Sequence, residues 1–210
     1  MKSVLKRLFG EEFNNLLAMN LITAVLCVPV VTAGPALLAL MGTLIKIMDN
    51  RCSLSRVKEY KALFKKKLWK GIQLEAVLLA YGAAMVWCLS LGSALGEQGV
   101  VLRVAAMAAL FLAGVVSVPV ALILAAVEIP FHTAFWNGVC LALGRFPRAI
   151  LSALCVYGAA ALGVLFYPIS LVLFIVIMIS TTAVVSLAIL WPAFYALVLD
   201  TCDSSDGSGV

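Results

Sequence analysis

Charge is the scarcest commodity of this 210-residue chain: Asp, Glu, Lys and Arg make up 12% of it, against roughly a quarter in soluble domains. With 64% of residues hydrophobic and a mean hydropathy of +1.14, too little charge remains for water to be the main solvent. Histidine occurs once. The six cysteines (Cys27, Cys52, Cys88, Cys140, Cys155, Cys202) form no Cys-x-x-Cys pair and read as small hydrophobes rather than redox or metal groups. There is no phosphate-cradling G-x-x-x-x-G-K-[ST], no G-x-S-x-G and no H-E-x-x-H. No catalytic residue, cofactor or metal is therefore expected. The ten-residue alternation of a membrane β-barrel is absent as well, which leaves helices. No polar linker divides the chain, so residues 1–200 are expected to form one integral membrane domain and 201–210 a disordered tail.

What is present is a set of charge-free runs: Phe13 to Ile45, Ala76 to Gly96, Val104 to Val127 and Ala149 to Leu199. A helix needs roughly 20 apolar residues to cross about 30 Å of hydrocarbon. The runs predict an all-α, polytopic transmembrane bundle with about five spans at 16–45, 72–95, 101–127, 149–166 and 169–197. Tyr167-Pro168 is the natural turn between the last two, because proline removes a donor and restricts the residue before it. A six-span alternative folds the first run into a hairpin bent at Gly34-Pro35. Lys2, Lys6 and Arg7 precede an apolar stretch as in a signal peptide, but Glu11 and Glu12 interrupt the basic region and disfavour cleavage.

Nine of the fifteen Lys and Arg residues lie between Lys46 and Lys70. Positive loops stay in the cytoplasm, which places the 46–71 loop inside and makes Gly96-Glu97-Gln98-Gly99 an outer turn. Arg145 and Arg148 then fall inside too. The five-span reading puts the N-terminus outside, against the preference of Lys2, Lys6 and Arg7; the six-span reading puts it inside. At 3.6 residues per turn Leu54, Val57, Tyr60, Phe64 and Leu68 share a stripe, with Arg56, Lys58, Lys65, Lys66, Lys67 and Lys70 mostly off it; these six and Lys61 are the expected membrane-surface basic set. That pattern predicts a basic amphipathic helix lying on an anionic inner leaflet. Nucleic acid would gain nothing from the buried stripe, so it is not an expected partner.

Ionisable residues within spans are functional candidates by default. Glu75, about one turn into the second span, is one, although pairing at the interface near Lys70 accounts for it as well. Glu128 and His132 stand four residues apart and invite a metal or proton path. Pro130 lies between them, and two ligands are too few for a closed metal site. Nearby Phe131, Phe135, Trp136 and Phe146 read as interface anchors, with Asn137 a candidate partner for exposed backbone. Small residues such as Gly82, Ala83, Ala84, Gly158, Ala159 and Ala160 suit close helix packing.

Around GPALLALMGTLIK (Gly34 to Lys46), with Pro35, Ala39 and Leu40, and the following YKALFKKKLWKG, the sequence resembles the YesL-like family, domain of unknown function 624. The resemblance implies a multi-pass protein of the bacterial cytoplasmic membrane, often encoded beside sugar-uptake ABC transporters, with no agreed catalytic residues to transfer. It points to a non-catalytic accessory subunit that associates with a carbohydrate ABC transporter permease or its regulation. The second reading is a small transporter or channel with Glu75, Glu128 and His132 along a polar path. Either leaves room for a homo-oligomer. An internal echo, Tyr81-Gly82-Ala83-Ala84 and Tyr157-Gly158-Ala159-Ala160, raises a parallel repeat, against chance in an Ala- and Gly-rich chain.

Overall fold

A computed structural model of the chain describes residues 13–27, 29–48, 55–165 and 179–194. Among them every regular element is helical: α1 (Phe13–Cys27), α2 (Val30–Met48), α3 (Arg56–Ala94), a 3-10 turn (Gly96–Gly99), α4 (Val100–Ala126), α5 (Phe131–Gly144), α6 (Phe146–Leu165) and α7 (Ile179–Phe194). The chain is an all-α bundle, and its long apolar helices make it a membrane protein. The expected tail 201–210, the Tyr167-Pro168 turn, and Cys52 and Leu54 lie outside the described residues.

Three expectations need correction. The run 16–45 is not one continuous helix: it is broken at Pro29 into α1 and α2, and the six-span bend at Gly34-Pro35 is absent because Pro35 lies inside α2. Proline at the start of a helix costs nothing, since the first amides have no partner in any case. Here the Pro29 carbonyl accepts bonds from the Thr32 amide (2.9 Å) and hydroxyl (3.0 Å), which starts the new helix. Second, the described residues of the 46–71 segment form no separate surface helix: from Arg56 the basic stretch runs without a break into the second span, giving one helix of 39 residues. Third, the loop expected after α4 is largely α5, which packs on α4 through Ala134, Gly138 and Leu141 and meets α6 at a bend of 105°.

Two of the described elements are long and apolar enough to cross a membrane, α3 and the 3-10 turn with α4; the bent α5–α6 pair makes a third if it counts as one span. The remainder of the expected five are the shorter apolar helices α1, α2 and α7. The turn between α3 and α4 is tight because Gly96 takes φ +60° and Gly92 and Gly99 meet with no room for a side chain on either. Arg103 closes it, donating to the Gly96 carbonyl at 3.1 Å.

The core sits where α1, α2 and α7 gather around the basic half of α3 and the second half of α4; Met19, Leu38, Leu44, Tyr60, Leu124 and Leu187 are almost wholly buried there. Lipid is as apolar as leucine, so close packing and internal hydrogen bonds decide such contacts more than transfer from water. The buried seam of α3 is Tyr60, Leu63, Lys67, Gly71 and Leu74, at spacings of three or four residues. It turns toward α2 and α4, not toward a membrane surface. Tyr60 ties three helices together: its hydroxyl accepts from Thr23 of α1 at 3.0 Å and donates to the Ala36 carbonyl of α2 at 3.3 Å. Tyr60→Phe is expected to lower stability by about 1 kcal/mol, the usual worth of a buried neutral bond. An unfolding titration in detergent micelles reads it.

Candidate functional site

The α2–α3 crossing creates the first notable site. Gly34 and Gly71 face each other so closely that a methyl on either would strike the other helix's backbone, and Pro35 packs directly over Gly71. One turn beyond, the Glu75 carboxylate accepts the Gly34 amide at 2.8 Å. Gly34 is the fifth residue of α2, so the carboxylate lies toward the positive end of that helix dipole. No cationic side chain pairs with Glu75 among the described residues. The expected alternative, pairing at the interface near Lys70, is therefore not what the structure shows, because Lys70 is engaged elsewhere. Glu75 instead forms part of the wall of a cavity of about 580 Å³ between α1, α2, α3, α4, α6 and α7. The wall is otherwise mainly apolar, with hydroxyls from Ser117, Thr182 and Ser186.

The second site is at the carboxyl end of α4, whose last carbonyls have no partner within the helix. Lys67 is buried and its Nζ donates to the carbonyls of Leu124 (2.7 Å) and Val127 (3.1 Å). Lys70 donates to the Ile129 carbonyl at 2.8 Å, and Lys66 pairs with Glu128. Cations there meet the negative end of the α4 dipole. Burial, followed by the neighbouring Lys70 charge, lowers the Lys67 pKa below 10.5. The hydrogen bond from Lys66 holds the exposed Glu128 carboxyl below its ordinary value of 4.5, with the Lys66, Lys67 and Lys70 charges adding to it.

The expected membrane-surface set therefore divides. Lys58, Lys61 and Lys65 are exposed, Arg56 is half-buried, and Lys66, Lys67 and Lys70 turn to the α4 terminus. Lys46 of α2 pairs with the buried Glu59 of α3, a further inward use of a basic side chain. The polar path expected to join Glu75, Glu128 and His132 is not assembled. Glu128 is an exposed partner of Lys66, His132 Nε2 accepts from Trp136 Nε1 at 3.0 Å, and neither belongs to the wall that holds Glu75. Asn137 is exposed on α5. Among the described residues no group of three or more His, Cys, Asp or Glu side chains comes together to hold a metal ion.

Sequence reasoning assigned Lys67 to the membrane surface, not to the α4 terminus, and missed Ser186. Lys67 was legible in part, since it falls on the seam of Tyr60, Leu63, Gly71 and Leu74 at helical spacing. Ser186 carried no signal at all. The two halves of the Tyr-Gly-Ala-Ala echo both reach α4: Tyr81 donates to the Ala109 carbonyl at 3.1 Å and Tyr157 to the adjacent Leu110 carbonyl at 3.0 Å. Tyr157 passes over Gly114, where any side chain would collide with the ring.

Residues 14–89 match the model of a family described as "Protein of unknown function, DUF624". The matched segment holds α1, α2 and nearly all of α3, and with them the Gly34–Gly71 crossing and Glu75. It is the family whose resemblance the Gly34 to Lys46 segment and the basic stretch carry. No curated protein and no solved structure matches the chain.

Proposed function

We propose that the protein is a non-catalytic accessory subunit, a multi-pass protein of the cytoplasmic membrane that docks another membrane protein along the apolar half of α3. The observation that supports this most is the bareness of that half. Only 6% of its span window is buried inside the bundle, against 39% for the 3-10 turn with α4. Ala76, Ala80, Ala83 and Ala84 are exposed along it, and nothing lies within 4 Å of where a side chain on Gly82 would sit. Small residues let a second helix come close, which lipid chains exploit poorly. The partner class implied by the resemblance is a carbohydrate ABC transporter permease, and the exposed Lys58, Lys61 and Lys65 suit the anionic inner leaflet.

A photocrosslinking residue placed at Ala83, in native membranes of cells grown on a range of sugars, tests the reading. The expected product is a covalent adduct with a permease subunit, absent when the same probe is placed at the buried Ala125. Adducts to lipid alone at Ala83, together with a chain that purifies without a permease in mild detergent, would overturn it.

A further inference from the structure

The cavity at Glu75 has the composition of a ligand site rather than of a packing fault. At about 580 Å³ it lies within the range of pockets that take small organic molecules, which are mostly apolar with a few placed polar groups. Two of its features are left incomplete by the protein. Glu75 receives one amide bond from Gly34 and has no cationic partner among the described residues, although ionised carboxylates in apolar surroundings are costly unless paired. Ser186 is wholly buried on the same wall, and its hydroxyl has no hydrogen-bond partner. The partly exposed Leu37, Leu79 and Val156 also belong to the wall, so the cavity opens onto the apolar outer surface. An occupant that complements such a site carries positive charge and hydrogen-bond donors at one point and is apolar elsewhere.

We propose that this cavity binds an amphiphile with a primary ammonium group, the ammonium donating to Glu75 and the hydrocarbon body filling the space among α2, α4, α6 and α7. A charge-assisted bond to a carboxylate is about twice as strong as a neutral one and works best where water is excluded. The same chemistry is offered by two sources, an ethanolamine headgroup of membrane lipid and a free long-chain amine. The cavity shares Leu78 and Leu79 with the apolar half of α3, but amine binding by the chain alone and a crosslink from Ala83 to a partner are read by separate experiments, so the two readings fail separately.

The full chain in phosphatidylcholine nanodiscs, incubated with radiolabelled dodecylamine, provides the test. The expected result is saturable binding above that of empty discs, with dodecylamine favoured over dodecanol by about tenfold. Glu75→Gln, which still accepts the Gly34 amide, should erase that preference. Ala121→Phe, which fills the cavity from α4, should remove the binding of both. Uptake equal to that of empty discs, equal affinity for amine and alcohol, or a preference unchanged in Glu75→Gln would each overturn the proposal. Adding phosphatidylethanolamine to the discs separates the sources. Competition with the tracer assigns the site to the lipid headgroup, and its absence assigns it to a free amine.

Discussion

Gly71→Val is expected to lower the stability of the bundle by about 3 kcal/mol, the upper end for overpacking a closed contact. The valine Cβ alone would meet the backbone nitrogen, Cα and ring of Pro35 at less than 3.0 Å, none of which can rotate away, and its two methyl groups add to the clash. Relief requires α2 to move off α3, which also stretches the bond from the Gly34 amide to Glu75. Unfolding by denaturing detergent measures the loss, and the Gly34 amide resonance reports the stretched bond. The control is Gly82→Val on the same helix, where open space surrounds the position. That change should alter stability by no more than a few tenths of a kcal/mol, since valine is somewhat better than glycine in a helix. Equal effects at the two sites would show that the α2–α3 crossing is not the tight contact described.

Lys67→Met should cost about 2 kcal/mol. Methionine reproduces most of the alkyl stem, so the loss is that of the bonds to Leu124 and Val127, whose carbonyls are left with fewer partners at the end of α4. Removing a buried charge returns part of that cost, which is why the expected figure is not larger. Lys58→Met, on the exposed side of the same helix, should change stability by less than about 0.5 kcal/mol. Lys67 also carries a pH dependence. Burial lowers the folded pKa of Lys67 below its unfolded value of 10.5, so between the two values the unfolded chain holds more protons than the folded one. Stability contributed by Lys67 therefore rises with pH in that window and is flat below it. The methionine variant should lack this rise, and parallel stability profiles for the two proteins would refute the assignment.

The helical nature of the bundle, the α3–α4 turn at Gly96 to Gly99 and the placing of Glu75 within an apolar helix were readable because each follows from local composition. A charge-free run, a glycine-flanked pair and a lone carboxylate among apolar residues are visible without a partner. The inward role of Lys66, Lys67 and Lys70 was not readable in that way. Two of these lysines bind main-chain carbonyls, which every sequence possesses, and the basic run looked the same whether it faced lipid headgroups or the end of a helix. The first apolar run misled for a related reason. Both Pro29 and Pro35 can end a helix, and only the glycine facing Pro35 from α3 shows why the second is accommodated inside α2. The cavity draws on six helices spread from Cys27 to Ser186, and no short window of sequence records such a meeting.

An uninterrupted α3 of 39 residues is about 58 Å long and covers about 45 Å along the membrane normal even at a tilt of 40°, well beyond the hydrocarbon thickness. Its basic end therefore projects past the hydrocarbon as a stalk, and because Lys67 moors that stalk to the root of α4, the projecting half is braced against its neighbour and not held by the chain alone.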